Sequence, residues 1–482
     1  MADTQVPGRG TDWQVQPSPR SSFAVPGIVA ALVAALVIVA LPTPDGLSAE
    51  GQRMAALFAV ALILFVTEAI PIAVTSVLIL MLQPLMGVTD DIQQAFTAWL
   101  TPVFFFVLVM FVIAQAVSVT GLARRFALRL LALAGTDSRR VIMVFVIGTG
   151  LISLIMSDVP ACAIFMAIGL GIIDKMGLGP GSRFAKALMI GIPIGALIGG
   201  VGTPAGSSIN LLGLDQLEQA TGVVVPFLDW MMIGMPMVIV LLPLAAWIIS
   251  RFYPPEIATI GAAGDIQRER MDMGPMSRQE TSVALILGVM VVLWILSTWY
   301  AVFNVYVVGI GGAVALFLPG INVLNWKTAQ AGTGWDALLL VGGVTSLGNA
   351  SRTTGLAEWM VNASLGGVAD WTPIAVIALI SAFTVVIHLV LPINPVIVIV
   401  LIPPLAILAE QSGVNPAMYA LPVAFTASCA FLLPIDAVPL LTYGKGYYKM
   451  FDMFLPGVVL SVIWVILMTA LLALIGPLLG YF

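Results

Sequence analysis

Long apolar runs separated by short polar breaks fill the chain from residue 23 onward. Runs near 23–42, 54–70, 71–87, 102–122, 228–250, 282–298, 302–319, 335–365 and 454–480 predict membrane helices, since about 20 apolar residues span a bilayer core. Two more crossings, 185–214 and 416–442, carry Gly, Pro and polar residues part-way along. The runs at about 140–174 and 373–409 are too long for one crossing and are interrupted near their middles. A re-entrant helical hairpin fits these two better, because irregular backbone at membrane depth is tolerated where it lines a cavity or is buried in protein. The pattern therefore predicts an all-α polytopic membrane protein with about 11 transmembrane helices and two re-entrant hairpins.

The order of these elements repeats. "VTGLA" from Val119 recurs as "TTGLA" from Thr353, and 353 − 119 gives an offset of 234. At nearly the same spacing "SDVP" from Ser157 matches "INPV" from Ile393, and "GTPAGSSIN" from Gly202 matches "PIDAVPLLT" from Pro434. An odd number of crossings separates the copies, so they have opposite topology, the arrangement of secondary transporters with a midplane site. The expected division is a disordered cytoplasmic N-terminus at 1–22, first-repeat scaffold helices at 23–135, and a first hairpin and broken helix at 136–220. Scaffold helices of the second repeat at 221–370, a second hairpin and broken helix at 371–450, and a last transmembrane helix at 451–482 complete it.

Composition narrows the class. The chain is 60% hydrophobic and only 9% charged, against about 25% charged in a soluble domain. Cys162 and Cys429 lie in apolar runs without metal-ligand spacing, so neither a disulfide framework nor a zinc site is expected. No Walker-type phosphate loop argues for an ATP-driven pump. Nothing points to an organic cofactor, a nucleic acid or catalytic clustering, and no enzyme is expected. The run from Phe23 is longer than a usual signal-peptide core and lacks a clear cleavage site, so it reads as a retained helix. Breaks holding Arg124, Arg125, Arg129, Arg139 and Arg140, then Arg251, Arg268, Arg270 and Arg278, then Lys445 and Lys449, belong to the cytoplasm by the positive-inside rule. That places the N-terminus inside. The eleven tryptophans read as interface anchors and packing.

Against this background Asp158 stands out. A charged group at mid-bilayer costs about 2.5–3.5 kcal/mol on insertion scales and needs a partner, a proton or a cation. It either stabilises a hairpin tip or takes part in ion coupling. Asn394 holds the equivalent place in the second hairpin, and its amide suits a solute or an ion. Thr203, Ser207, Ser208 and Asn210 concentrate polarity in the first broken helix after Gly202, while Asp436 and Thr442 do so in the second. Broken helices expose N–H groups that attract an anion and carbonyls that hold sodium, without Arg or Lys. His388 reads as packing or as a proton site, and Glu68 as an interface anchor.

"VTEAIPIAVTSVL" from Val66, "GLARRFALRLL" from Gly121, "IGGVGTPAGSSINLL" from Ile198, "TTGLAEWM" from Thr353 and "CAFLLPIDAVPLLTYGKGYYKMFDMFLPGVVL" from Cys429 together resemble the divalent anion:sodium symporter family. Its members carry dicarboxylates, citrate and sulfate. The resemblance implies an elevator-type homodimer in a bacterial inner membrane, in which a transport domain bearing hairpins and broken helices carries the solute past a scaffold. It implies sodium as the coupling ion and the Ser-Asn-Thr motif of each hairpin tip as the site. Here the first tip becomes Ser157-Asp158-Val159 and the second Ile393-Asn394-Pro395. Carried over by position, Ser157, Asn394, Pro395, Thr203, Ser207, Ser208 and Asn210 would bind substrate. Asp158, Gly202, Asp436, Ala437 and Thr442 would serve coupling, with Asp158 and Asn394 as sodium ligands. The expected function is sodium-coupled transport of a small anion, first a dicarboxylate. The second reading is a proton-coupled carrier or exchanger for sulfate, a sulfonate or a monoanionic organic acid.

Overall fold

The computed structural model describes residues 24–261, 268, 270–364, 366–368, 371–391 and 393–481. The segment 1–22 expected to be disordered lies outside the described residues. These form helices with one isolated bridge, Asp137 to Thr259. The first repeat opens with α1 (Ala24–Ala40), α2 (Ala49–Thr67), α3 (Ile72–Leu85), α4 (Ile92–Trp99), α5 (Pro102–Val119) and α6 (Leu122–Ala134). The hairpin α7 (Ser138–Ser153) and α8 (Asp158–Lys175), the broken helix α9 (Arg183–Gly200) and α10 (Ser208–Thr221), and α11 (Phe227–Phe252) close it. The second comprises α12 (Arg278–Leu296), α13 (Val305–Ala315), α14 (Trp326–Ala331), α15 (Trp335–Thr353) and α16 (Leu356–Ser364). It ends with the hairpin α17 (Pro373–Ile387) and α18 (Asn394–Gln411), the broken helix α19 (Ala417–Thr426) and α20 (Ala437–Tyr443), and α21 (Phe454–Ile475). Seven of these described helices are long and apolar enough to cross a membrane, and shorter apolar helices accompany them.

The repeat extends to backbone conformation. α5–α6 and α15–α16 are each joined through a Thr-Gly turn whose glycine is left-handed, Gly121 at φ 80° and Gly355 at φ 76°, a conformation glycine adopts without a Cβ penalty. Gly355 thus divides the run expected as one helix at 335–365. Two polar breaks hold helices that the hydrophobic pattern does not announce. α6 buries Ala123, Ala127, Leu128, Leu131 and Ala134 on one face despite its arginines, and α4 is started by Asp91 accepting from the Gln94 N–H at 2.9 Å. Glu68 ends α2 in a left-handed conformation, with its side chain exposed.

Polar contacts sort the helix ends onto two faces. On one, Ser138 N–H donates to Ala258 O and Ile260 N–H to Thr136 O, while Glu256 accepts from Ser182 and from the Phe184 N–H. Lys186 pairs with Asp452 at 2.8 Å, and Arg125 grips Glu280 at 2.7 Å and three carbonyls. The first hairpin therefore enters and leaves at this basic face. On the other face Ser48 donates to Thr354 O, Trp359 to Asp45 O, Gln411 to Asn362, and Tyr481 to Asp229. Here the second hairpin begins and ends, and a 660 Å³ cavity between α2, α3, α4, α10 and α15 is lined among others by Glu50, Asp90, Asp91, Gln219 and Asn349.

Two large apolar cores fill the interior, beside two small clusters, one between α1 and α2 and one between α3 and α4. The larger gathers α7–α11, α17–α19 and α21 with the inner faces of α2 and α15. A smaller one is built on α5, α12 and α13 and includes Met156, Ala205 and Leu211 from the first hairpin tip and broken helix. α11 lies within the larger core, packed on α7, α9 and α21, although the sequence grouped 221–370 with scaffold helices. There the ring of Trp230 stacks on Phe425 at 4.0 Å.

Candidate functional site

Where α7 and α9 meet, glycines replace side chains. A Cβ on Gly195 would lie 2.3 Å from Val146 O, and one on Gly199 2.0 Å from Gly150 O. Small residues at this spacing let two backbones touch, so the hairpin and the broken helix are welded. The tip follows at 154–157. Thr203 Oγ1 donates to Leu154 O at 2.7 Å, tying the break to the tip. Asn210 Nδ2 donates to Gly200 O at 2.8 Å and Thr203 O at 2.9 Å, bracing the break from within. Its Oδ1 is fully buried and has no partner.

Asp158 is the first residue of α8 and is 7% exposed. Its carboxylate accepts from Ser157 Oγ at 3.1 Å and from the Val159 N–H at 3.0 Å, and Ser207 lies near it. Ser207 is the N-cap of α10, reached through the turn Pro204–Gly206. Tip and break of the first half thus meet as an acid with a hydroxyl.

In the second half the same two places are filled the other way round. Asn394, 7% exposed, begins α18, and Asp436, 6% exposed, is the N-cap of α20. Asp436 accepts from the Val438 N–H at 3.1 Å with the Asn394 side chain near it, and Asn394 Oδ1 is buried without a partner. Pro395, buried in the first turn of α18, has no N–H to offer. Cys162 Sγ of α8 reaches Val438 O of α20 at 3.7 Å, which draws together the two helices that begin at Asp158 and Asp436. Each half therefore supplies one carboxylate and one neutral partner, with their positions exchanged.

A carboxylate at a helix N-terminus is stabilised by about 0.3–1 kcal/mol at the surface and more when partly buried. Asp158 and Asp436 hold that position on α8 and α20. α18 starts without a side-chain cap, and at α10 the Ser207 Oγ accepts only at 3.4 Å. At α18 this leaves the Asn394 N–H, since Pro395 has none and Val396 and Ile397 donate to Ile393 O, and at α10 it leaves the Ser208 N–H, as donors for an anion. Beside α10 a 20 Å³ cavity, room for about one water, lies between Ser157, Ala205 and Ser208 on one side and Phe106 and Met110 of α5 on the other.

Several expected residues have other tasks. Gly202 is a contact residue, since a Cβ there would meet Leu154 at 2.3 Å. Ala437 is exposed. Thr442 turns away from both carboxylates, donating to Pro439 O at 3.1 Å with Tyr448 OH also at 3.1 Å. His388 at the second tip places Nε2 2.6 Å from Ala427 O in the second break, which puts the proton on Nε2. It thus joins tip to break as Thr203 does in the first half.

The sequence reading missed the indoles that cap the breaks. Trp230 Nε1 donates to Val201 O at 2.8 Å, and Trp464 Nε1 to Thr426 Oγ1 at 3.1 Å. Both rings are fully buried, not at an interface. Their spacing, 464 − 230 = 234, equals the repeat offset and was the available signal.

Comparisons place this geometry among known proteins. Residues 24–482 match the family model described as the sodium:sulfate symporter transmembrane region. A protein of Cupriavidus necator named only "Membrane protein" is 29% identical, over 85% of this chain and 84% of its own. The sodium-dependent dicarboxylate transporter SdcS of Staphylococcus saprophyticus is 29% identical over 91% of this chain and 88% of its own, and that of Staphylococcus aureus USA300 28% over 85% and 82%. The crystal structure of the Alcanivorax borkumensis YdaH transporter, reported to have an unusual topology, shares the helical fold at a TM-score of 0.51 and 13% identity, covering 95% of this chain and 97% of that one. The chain is a multi-pass membrane transport protein of the sodium:sulfate symporter family, the divalent anion:sodium symporters that its sequence resembles.

Proposed function

We propose that the protein is a sodium-driven carrier of dicarboxylates, working as an elevator-type homodimer in a bacterial inner membrane with its N-terminus and basic face in the cytoplasm. The reciprocal placement of Asp158 with Ser207 and Asp436 with Asn394 carries the reading. Among the described contacts of these four residues there is no Lys, Arg or His. A dianion entering beside two carboxylates is repelled, so cations must come first. Sodium is a hard cation that prefers charged oxygen ligands, and the free Oδ1 atoms of Asn394 and Asn210 add neutral ones. With the acids neutralised, the open ends of α10 and α18 receive the solute carboxylates, helped by Ser157 and Ser208. Affinity for the anion then depends on cation occupancy, which is coupling.

The proposed moving body comprises the two hairpins, the two broken helices and α11, which Trp230 attaches to both breaks. α5, α12 and α13 stay with the membrane, in a layout of eleven crossings and two hairpins. Two buried carboxylates also suit a second reading, proton-coupled carriage or exchange of sulfate, a sulfonate or a monoanionic organic acid. Uptake of labelled succinate into proteoliposomes, with sulfate and a sulfonate as competitors, separates the two. Accumulation following an imposed sodium gradient and lost in Asp158→Asn is expected. Accumulation that follows a pH gradient and ignores sodium would replace the first reading by the second.

A further inference from the structure

At the basic face, between the start of α7 and the end of α11, lies a cavity of about 540 Å³. Its lining includes Arg139 and Met143 from α7 and Pro243, Trp247, Ser250 and Arg251 from α11. The carboxylates nearest in sequence are already engaged: Asp137 caps α7 by accepting from the Arg140 N–H at 2.9 Å, and Glu256 accepts from Ser182 and the Phe184 N–H. Among the described residues neither guanidinium has an ion-pair partner. Two unpaired arginines and a hydroxyl therefore face a space large enough for a small polar group. The rim continues into apolar surface. Trp247 is 64% exposed and Met143 41%, and Ile239 and Val240 extend that surface along α11.

We propose that this groove holds the phosphate headgroup of an anionic phospholipid, its acyl chains lying along α11. The charge complementarity fits phosphate, for which arginine forms bidentate bonds. The rim fits a lipid better than a free anion: an indole at headgroup depth above an apolar helix face is how proteins meet the bilayer interface, and basic pockets between helices on the cytoplasmic side bind such headgroups. Both walls belong to the larger core, so the lipid is gripped by the body that also holds Asp158.

The test is native mass spectrometry of the full-length protein in detergent, titrated with phosphatidylglycerol, phosphatidylcholine of the same chains, or inorganic phosphate. Wild type is expected to prefer phosphatidylglycerol by about tenfold or more. Arg139→Gln with Arg251→Gln should erase the preference, and Arg139→Lys with Arg251→Lys should keep most of it. Ser250→Trp, which fills the groove without altering charge, should also erase it and guards against a glutamine variant that does not fold. A folded Ser250→Trp or glutamine variant that retains the full preference overturns the proposal. Displacement of the lipid by millimolar inorganic phosphate would make this a free-anion site and overturn it as well.

Discussion

At the residue scale, charge is arranged per half and not per position. Asp158 with Ser207 and Asp436 with Asn394 each count as one acid and one neutral partner. Asp158→Asn should therefore abolish cation-driven accumulation, and adding Ser207→Asp, which returns the acid to the same half at the other corner, should restore a measurable part of it. No recovery in a variant that reaches the membrane would refute the count by halves. The indoles give a second prediction. Trp230→Phe keeps the ring stack but leaves the Val201 carbonyl buried and unpaired, a loss of about 1–3 kcal/mol. Trp464→Phe should cost less, because the Thr426 hydroxyl that loses this donor, unlike a carbonyl, can still donate its own hydrogen. Melting curves in detergent compare them. Asp158 and Asn394 were legible because a polar side chain inside an apolar run is conspicuous. Trp230 was not, since its partner is a carbonyl freed only once the helix breaks.

At the element scale, the weld between α7 and α9 makes hairpin and broken helix one piece. Gly199→Leu has no room, with Gly150 O 2.0 Å from its Cβ position. It should destabilise by several kcal/mol or prevent folding, while Gly171→Leu, which meets nothing within 4 Å, should be silent in the same expression and melting assay. The ends of α9, α11 and α21 are joined at the basic face, where Tyr253 OH donates to Asp452 O and Lys186 pairs with the Asp452 carboxylate. Partial burial raises the Asp452 pKa, but the Lys186 hydrogen bond, the Lys449 N–H and the charges of both lysines outweigh it and hold the carboxyl below its usual range. A depressed folded pKa stabilises above the unfolded value, about 3.9, and the benefit is lost as pH falls through the folded one. Lys186→Gln should flatten the decline of the melting temperature below about pH 4, by less than about 1 kcal/mol for this pair, each side chain of which is 22% exposed. Hairpins and breaks could be read from Pro and polar interruptions. α6 could not, since arginines at 124, 125 and 129 mask the Ala and Leu face beneath them.

At the scale of the whole molecule, the carboxylates belong to the larger core while Ser157 and Ser208 look across a one-water gap at α5. If the larger core slides past the smaller, that gap is the sliding surface. Met110→Cys with Ala205→Cys, in a chain whose Cys162 and Cys429 are alanine, should stop succinate uptake when bridged and recover it on reduction. Continued uptake with confirmed bridging would contradict the motion. The twofold plan was legible from three short repeats. The assignment of α11 was not, because the sequence shows how a helix is spaced and not which core it joins. Trp230 also gives the molecule an optical readout of its own. An indole whose N–H is held by a carbonyl in a dry, stacked pocket emits at shorter wavelength than one that bonds water. In a background where the other tryptophans are replaced, the emission colour of Trp230 would report whether the first break is sealed or wet, without any attached dye.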